Sequence, residues 1–253
     1  MAETEAIAGT LRGFDSVFFD CDSTLSTVEG IDELARMKGR SEEIAALTEA
    51  AMAGEVPLES VYGRRLSLLM PTESEVTALA ELYQDNVVGD ARAVVRALVA
   101  AGKNVFIVSG GFLCAVRRFG EWLGVPADNI RAVPVGQAAE SPLARSDGKP
   151  LIIGQLLQDR PGRSVLVGDG ASDLEARGVV DLFVGYTGVV ERRRVVDESD
   201  VLITGESLAP VLGLALTEAE ESALLASEHA TVVSESRARI EAGELAVKRG
   251  SNP

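Results

Sequence analysis

The chain has 253 residues, of which 46% are hydrophobic and 25% are charged, a composition typical of a folded protein with a sizeable core and not of a disordered one. Its 39 acidic residues outnumber the 24 basic ones, and the net charge of −15 argues against nucleic acid and anionic membranes as partners. Two cysteines and one histidine argue against a disulfide framework, a zinc cluster and a histidine-based triad. With no signal-peptide core and no membrane-length apolar run, we expect a cytoplasmic protein.

Five short apolar runs predict the strands of a parallel sheet. Each run is flanked by turn residues and is apolar throughout, which is typical of strands buried on both faces. They cover 17–19, 104–109, 164–169, 181–185 and 200–204. Segments with apolar residues at three- and four-residue spacing predict helices over 90–102 and 113–124, and both end on glycine. The alternation indicates an α/β protein with a Rossmann-like core.

Residues 27–88 interrupt this alternation with four helical segments in a row. Pro57 and Pro71 separate them, and Ser41 and Thr72 suit N-cap positions. We interpret 27–88 as a small inserted helical cap domain, with 1–26 and 89–213 forming the catalytic core. Residues 214–253 are rich in Ala and Glu with weak apolar periodicity, and we expect a surface helix or a partly disordered extension there.

The polar residues of chemical interest lie where the predicted strands end. The first strand runs into Asp20 and Asp22, the second into the Ser-Gly-Gly turn at 109–111, and the third into Asp169. Asp173 follows four residues after Asp169, at the start of the next helix. Ligands of open α/β sheets bind beyond the carboxyl ends of the strands, so we expect these residues to share one rim.

These residue types fit phosphoryl transfer. Clustered carboxylates hold Mg²⁺, a hard cation that prefers oxygen ligands, and Lys149 would help to neutralise them. A serine hydroxyl and the N–H groups of a glycine-rich turn suit phosphate oxygens. Asp20 would attack phosphorus and form an aspartyl-phosphate, while Asp22 would protonate the departing alkoxide and then activate water.

Each motif taken alone has an ordinary structural explanation. The paired aspartates also occur in turns, caps and sugar-nucleotide sites, and the Ser-Gly-Gly segment in plain strand-to-helix turns. Lys149 alone is an ordinary solvated lysine, and Asp173 alone is a helix cap. All four motifs in this order, each at a strand end, favour the catalytic interpretation.

DCDST at 20–24, VSGGF at 108–112, SDGK at 146–149 and GDGASD at 168–173 resemble the four motifs of haloacid-dehalogenase-type phosphatases. The sequence is most similar to the phosphoserine phosphatases of that superfamily, and the similarity extends into the helical insertion. The resemblance implies Mg²⁺-dependent hydrolysis of O-phospho-L-serine through an aspartyl-phosphate, the last step of serine biosynthesis. It also implies a Rossmann-like core with a helical cap that closes over the substrate.

Residue by residue, the resemblance implies Asp20 as the nucleophile and Asp22 as the general acid and base. Mg²⁺ would be held by Asp20, Asp169 and the backbone carbonyl of Asp22, and Asp173 would orient that ligand shell. The phosphoryl group would be held by Ser109, Gly110 and Lys149.

For the amino-acid end of the substrate, the resemblance implies Glu29 at the ammonium and Arg65 at the carboxylate. Glu29 also suits a helix N-terminus, and the neighbouring Arg64 is an alternative to Arg65. The substrate pocket would be completed by Met52, Ser172 and Leu58, the last standing where an aromatic residue is more usual.

Several functions remain open on the sequence alone. A phosphotransferase would pass the phosphoryl group to an acceptor such as homoserine, and a phosphatase for another small phosphoester would share every catalytic residue. A non-catalytic phosphoamino-acid sensor would not need the second aspartate, and a receiver-like signalling domain would lack both the paired aspartates and the cap. We expect a small-molecule substrate as the only partner of a monomer or homodimer.

Overall fold

A computed structural model describes residues 11–52, 58–135 and 140–248, without the side chains of 48–52 and 58–59. Its centre is a seven-stranded sheet in the order β3-β2-β1-β4-β5-β6-β7, in which β7 alone runs antiparallel to its neighbour. The strands are β1 (Ser16–Phe19), β2 (Asn104–Phe112), β3 (Ile130–Val133), β4 (Ser164–Gly168), β5 (Leu182–Tyr186), β6 (Val201–Ile203) and β7 (Leu245–Val247).

The five predicted strands are confirmed as β1, β2, β4, β5 and β6. Every residue of β1 and β4 is buried, in keeping with their uninterrupted apolar character. Strand β1 lies between β2 and β4, and Phe19 pairs with both Ile107 and Val167. The carboxyl ends of these three strands, and the polar residues that follow them, are therefore neighbours.

The described residues contain twelve α-helices. They are α1 (Gly30–Met37), α2 (Ser41–Met52), α3 (Leu58–Leu69), α4 (Glu73–Asp85), α5 (Ala91–Ala100), α6 (Leu113–Leu123), α7 (Gly148–Asp159), α8 (Ala171–Ala176), α9 (Arg193–Glu198), α10 (Pro210–Ala215), α11 (Glu218–Leu225) and α12 (Ala230–Glu241). The helices predicted over 90–102 and 113–124 are confirmed as α5 and α6. No helix in these segments is both long and apolar enough to cross a membrane.

Helices α1 to α4 confirm the four helical segments of the insertion. Thr72 is the N-cap of α4, and its hydroxyl accepts a hydrogen bond from the Glu75 backbone N–H in a capping box. The expectation for Ser41 is wrong, because α2 begins at Ser41 itself. The two connections to the insertion pair with each other through a β-bridge between Ser26 and Val87.

The hydrophobic core is continuous from the sheet into the insertion. Tyr83 of α4 is fully buried and stacks on Phe119 of α6, with 5.5 Å between the ring centroids. Aromatic pairs in this arrangement contribute about 0.5–1.5 kcal/mol beyond the burial of their area. The last helix of the insertion is thus fixed to the sheet layer.

The segment after 213 differs from the expected surface helix or partly disordered extension. Up to Lys248 it forms α11, α12 and β7, and β7 extends the sheet as an edge strand beside β6. The Glu221 carboxylate of α11 pairs with Arg12 near the start of the described chain and with Arg237 of α12, so it links the C-terminal segment to residues before β1. The weak apolar periodicity gave no sign of this packing, because only a few apolar side chains, Leu216 among them, are buried in the core from this segment. Residues 249–253 lie outside the described residues.

Candidate active site

A cavity of about 400 Å³ opens beyond the carboxyl ends of β1, β2 and β4, under the helices of the insertion. This is where an open α/β sheet binds its ligands. The polar and charged side chains lining the cavity are Asp20, Asp22, Glu29, Tyr62, Arg65, Asp169, Ser172 and Arg192. The structure thus brings together predicted residues from four separate parts of the sequence.

Asp20 lies in a cationic, hydrogen-bonded environment. One carboxylate oxygen, Oδ2, is 2.8 Å from Lys149 Nζ, and Oδ1 accepts a hydrogen bond of 2.7 Å from the Cys21 backbone N–H. Lys149 Nζ also lies 2.5 Å from Asp173 Oδ1. Burial opposes the charge of Lys149, but the two carboxylates outweigh this and raise its pKa. Lys149 is therefore a cation held against the Asp20 carboxylate.

Asp22 lies in the opposite kind of environment. Its Oδ1 accepts hydrogen bonds from the Gly30 backbone N–H at 2.7 Å and from the Tyr83 hydroxyl at 2.6 Å. Burial, followed by the negative charge of Glu29, raises the pKa of Asp22 to about 7, although both hydrogen bonds lower it. The two aspartates thus lie in different environments, because Asp20 is paired with a cation whereas Asp22 is buried with a raised pKa. A nucleophile and a general acid need such a difference.

Three carboxylates form a compact group suited to a divalent cation. Asp20, Asp169 and Asp173 each contribute one carboxylate oxygen, and these three oxygens lie within 4.8 Å of one another. Thr24 fixes one of them, because its buried hydroxyl donates a hydrogen bond of 2.7 Å to Asp169 Oδ1. An all-oxygen, anionic donor set is what Mg²⁺ prefers, so the residues present fit this ion. The side chain of Asp22 is turned away towards Gly30 and is not a member of the group.

Arg192 is a member of the site that the sequence analysis missed. Its guanidinium pairs with the Asp169 carboxylate and donates a hydrogen bond of 3.0 Å to Glu29 Oε1. Ser23 donates a further hydrogen bond of 2.7 Å to the same Glu29 oxygen. Glu29 is therefore held by two donors in the lining of the cavity, and Arg192 links it to Asp169.

The three residues expected at the phosphoryl group come from β2 and α7, and Lys149 is the one in contact with Asp20. Ser109 is fully buried in β2, and its hydroxyl accepts a hydrogen bond of 2.9 Å from the Gly111 backbone N–H. Gly110 lines the cavity, and Lys149 reaches Asp20 from the second residue of α7. One difference from the prediction is that β2 continues through the Ser-Gly-Gly segment to Phe112, with a shift in its register against β3.

Of the residues expected at the amino-acid end, Glu29, Arg65 and Ser172 line the cavity. Arg64, the alternative to Arg65, is exposed and does not line it. Helix geometry explains this, because adjacent residues of α3 point about 100° apart and only one can face the sheet. The side chains of Met52 and Leu58 lie outside the described residues.

Comparisons with known proteins agree with this arrangement. Residues 14–178 match the family described as haloacid dehalogenase-like hydrolase. The chain is 36% identical to the chloroplastic phosphoserine phosphatase of Arabidopsis thaliana, over 76% of this chain and 69% of that protein. It is 34% identical to phosphoserine phosphatase of Homo sapiens, over 75% of this chain and 89% of that protein.

A solved structure described as a phospho-aspartyl intermediate analogue of phosphoserine phosphatase superposes with a TM-score of 0.65 at 25% identity. The match covers 79% of this chain and 98% of that chain. The parallel sheet, the cavity at its carboxyl edge and these similarities lead to one assignment. The chain is a phosphatase of the haloacid dehalogenase-like hydrolases and belongs to their phosphoserine phosphatase family.

Proposed function

We propose that the protein hydrolyses O-phospho-L-serine to L-serine and phosphate through an aspartyl-phosphate on Asp20. The observation that carries the proposal is the contrast between Asp20, held beside Lys149, and Asp22, whose pKa is raised to about 7. The choice of substrate is supported by the relatives named as phosphoserine phosphatases. The choice of intermediate is supported by the solved structure described as a phospho-aspartyl intermediate analogue of such an enzyme.

In the first step a carboxylate oxygen of Asp20 forms a bond to phosphorus as the bond from phosphorus to the serine oxygen breaks. Asp22 gives its proton to that oxygen, so serine leaves as the neutral alcohol and Asp22 becomes a carboxylate. In the second step Asp22 takes a proton from water while the water oxygen bonds to phosphorus. Asp20 is released as a carboxylate, and Asp22 is protonated for the next cycle.

Mg²⁺ would be held by Asp20, Asp169 and the backbone carbonyl of Asp22, with Asp173 beside them in the ligand shell, and it would offset negative charge on the nucleophile and the phosphoryl group. The chain's own residues hold the remaining phosphoryl oxygens, and we assign this role to Ser109, Gly110 and Lys149. Lys149 contributes a fixed positive charge, since the neighbouring carboxylates keep it protonated.

The other end of the cavity would recognise the amino acid. Glu29, held by Ser23 and Arg192, would bind the ammonium group, and Arg65 would bind the carboxylate with its planar guanidinium. We assign Ser172 to the same end of the substrate. We further propose that 27–88 acts as a cap whose helices before α4 close over the substrate and exclude bulk water, with α4 and the paired connections at Ser26 and Val87 as its base.

The test is phosphate release from O-phospho-L-serine, O-phospho-L-threonine and a panel of small phosphoesters, each with Mg²⁺ or EDTA and with or without homoserine. We expect a Mg²⁺-dependent preference for O-phospho-L-serine that homoserine does not change. Phosphohomoserine among the products would instead establish a transferase, and a preference for another ester would establish a different phosphatase.

The nucleophile is tested by Asp20→Asn, which should reduce turnover by at least about 10³-fold because an amide cannot form the phosphoenzyme. Asp128→Asn, the same change at an exposed turn beside β3, should leave turnover unaltered. Substantial hydrolysis by a folded Asp20→Asn variant would show that another group attacks phosphorus.

A further inference from the structure

Tyr62 is a polar residue of the cavity to which neither the sequence motifs nor the steps above give a role. It belongs to α3, lies three residues before Arg65 and therefore shares a face of the helix with it. Both side chains line the main cavity and an adjoining one of about 170 Å³. Tyr62 is thus part of the end of the site that faces the insertion.

The Tyr62 hydroxyl oxygen is buried, and it has no hydrogen-bond partner among the described residues. Leaving a buried hydroxyl without a partner costs about 1–3 kcal/mol, so such groups are rare and call for an explanation. Asp22 is the nearby carboxylate whose charge acts on Tyr62, but its Oδ1 already accepts from Tyr83 and Gly30. No described residue accepts a hydrogen bond from this donor, and a ligand in the cavity can do so.

The chemistry of the ligand follows from the neighbours of Tyr62. Burial, followed by the charge of Asp22, raises the pKa of the Tyr62 phenol, so the hydroxyl keeps its proton at neutral pH and is a donor. Its partner must then be an acceptor. In the proposed function the phosphoryl oxygens lie at Lys149, which contacts Asp20 on the sheet edge, and the carboxylate lies at Arg65. The acceptor nearest to Arg65 on a phosphorylated amino acid is the carboxylate.

We propose that Tyr62 is a specificity-determining residue whose hydroxyl, together with Arg65, selects phosphoesters that carry a carboxylate. This inference rests on the proposed function, since it assumes that a phosphorylated amino acid occupies the cavity. The hydroxyl and the guanidinium would present donors to the two oxygens of one carboxylate, and an ester without that group would leave the hydroxyl unsatisfied. Such penalties make hydrogen-bonding sites discriminating.

The test compares O-phospho-L-serine with O-phosphoethanolamine, which has the same ammonium and phosphoryl groups but no carboxylate. Tyr62→Phe should lower kcat/KM for O-phospho-L-serine by about tenfold, through KM, and leave the value for O-phosphoethanolamine unchanged. Ser67→Ala removes a hydroxyl from the same helix that donates only to the Gly63 carbonyl, and should change neither value.

A second readout separates recognition from structure. Because Tyr62→Phe removes a hydroxyl that bonds to no described residue, the thermal midpoint of the free protein should equal or exceed that of the wild type. Equal losses on both substrates, an unchanged preference, or a midpoint lower by about 4 °C or more would overturn the inference. A wild-type enzyme that does not prefer O-phospho-L-serine to O-phosphoethanolamine would overturn the proposed function itself.

Discussion

The hydroxyl of Tyr83 gives the sharpest test of how Asp22 is tuned. It donates a hydrogen bond of 2.6 Å to Asp22 Oδ1 from a fully buried position in α4. Tyr83→Phe removes only this donor, because a phenylalanine ring retains the stacking on Phe119. Asp22 then keeps only the Gly30 backbone N–H on that oxygen. The variant therefore changes the charge stabilisation of one carboxylate with little change in packing.

The sign and size of the effect follow from the structure. A hydrogen bond to a charged group contributes about 2 kcal/mol, and one pKa unit corresponds to about 1.4 kcal/mol. The Tyr83 hydrogen bond favours the ionised carboxylate and so lowers the pKa of Asp22, which is about 7 in the intact site. Without it the pKa should rise by about 1 to 1.5 units. Because Asp22 must be protonated to act as the acid, the variant should retain activity to higher pH.

The assay is the pH profile of kcat/KM at saturating Mg²⁺. The alkaline limb of the Tyr83→Phe profile should move upward by about one unit, since this limb reports the acid of the free enzyme. Tyr186→Phe is the matched control, because Tyr186 is equally buried but donates to the Glu206 carbonyl. An alkaline limb that stays in place or moves to lower pH would refute the assignment of Asp22 as the general acid tuned by Tyr83.

Two further predictions test the packing around the site and the attachment of the C-terminal segment. Gly30→Ala should lower kcat at least tenfold, because the new Cβ would lie 2.2 Å from the Tyr83 hydroxyl oxygen. Gly63→Ala is the control, since a Cβ there meets nothing within 4 Å and should leave kcat unaltered. Equal kcat values for the two variants would show that the structure relieves the clash at Gly30. Glu221→Gln should lower the free energy of unfolding by about 1 kcal/mol at pH 7. Burial alone would raise the pKa of Glu221, but its two arginines lower it below 4.5, so this stabilisation is complete above pH 4.5 and is lost as pH falls through the folded pKa. A difference between wild type and variant that does not shrink in urea titrations as the pH is lowered below 4.5 would contradict this reasoning.

The strand ends were predictable because their signal is local. An apolar run that stops at aspartates or at a Ser-Gly-Gly segment identifies both the strand and the edge of the sheet where its polar residues lie. Strand β3 was missed because Arg131 interrupts its four residues, and β7 because an antiparallel edge strand needs few apolar residues. The C-terminal helices were underestimated for a related reason, since tertiary packing and not periodicity stabilises them.

The side chains that tune the site could not be predicted in the same way. Tyr83 lies on the apolar face of its helix and reads in the sequence as an ordinary core residue, yet its hydroxyl reaches Asp22 across 61 positions. Arg192 stands in a run of three arginines that is typical of a solvated surface, and only the fold brings it to Asp169 and Glu29. Thr24 was visible beside the paired aspartates, but its contact with Asp169 spans 145 positions. Local patterns thus indicate which residues react, whereas their electrostatic environment depends on contacts between distant segments.

The charge of the site itself supports a divalent cation in the proposed reaction. Five carboxylates meet there, Asp20, Asp22, Glu29, Asp169 and Asp173, against three cationic side chains, Lys149, Arg65 and Arg192. A phosphate monoester adds between one and two negative charges at neutral pH, and the chain as a whole carries −15. Burial raises the pKa of both Asp22 and Asp173 to about 7, and even with both protonated these side chains offer an anionic substrate no net positive charge. Mg²⁺ at the three clustered carboxylates would add positive charge where the proposed reaction places the phosphoryl group. Glu29 and Arg65, opposite in sign, would suit the zwitterionic end of an amino acid without adding net charge.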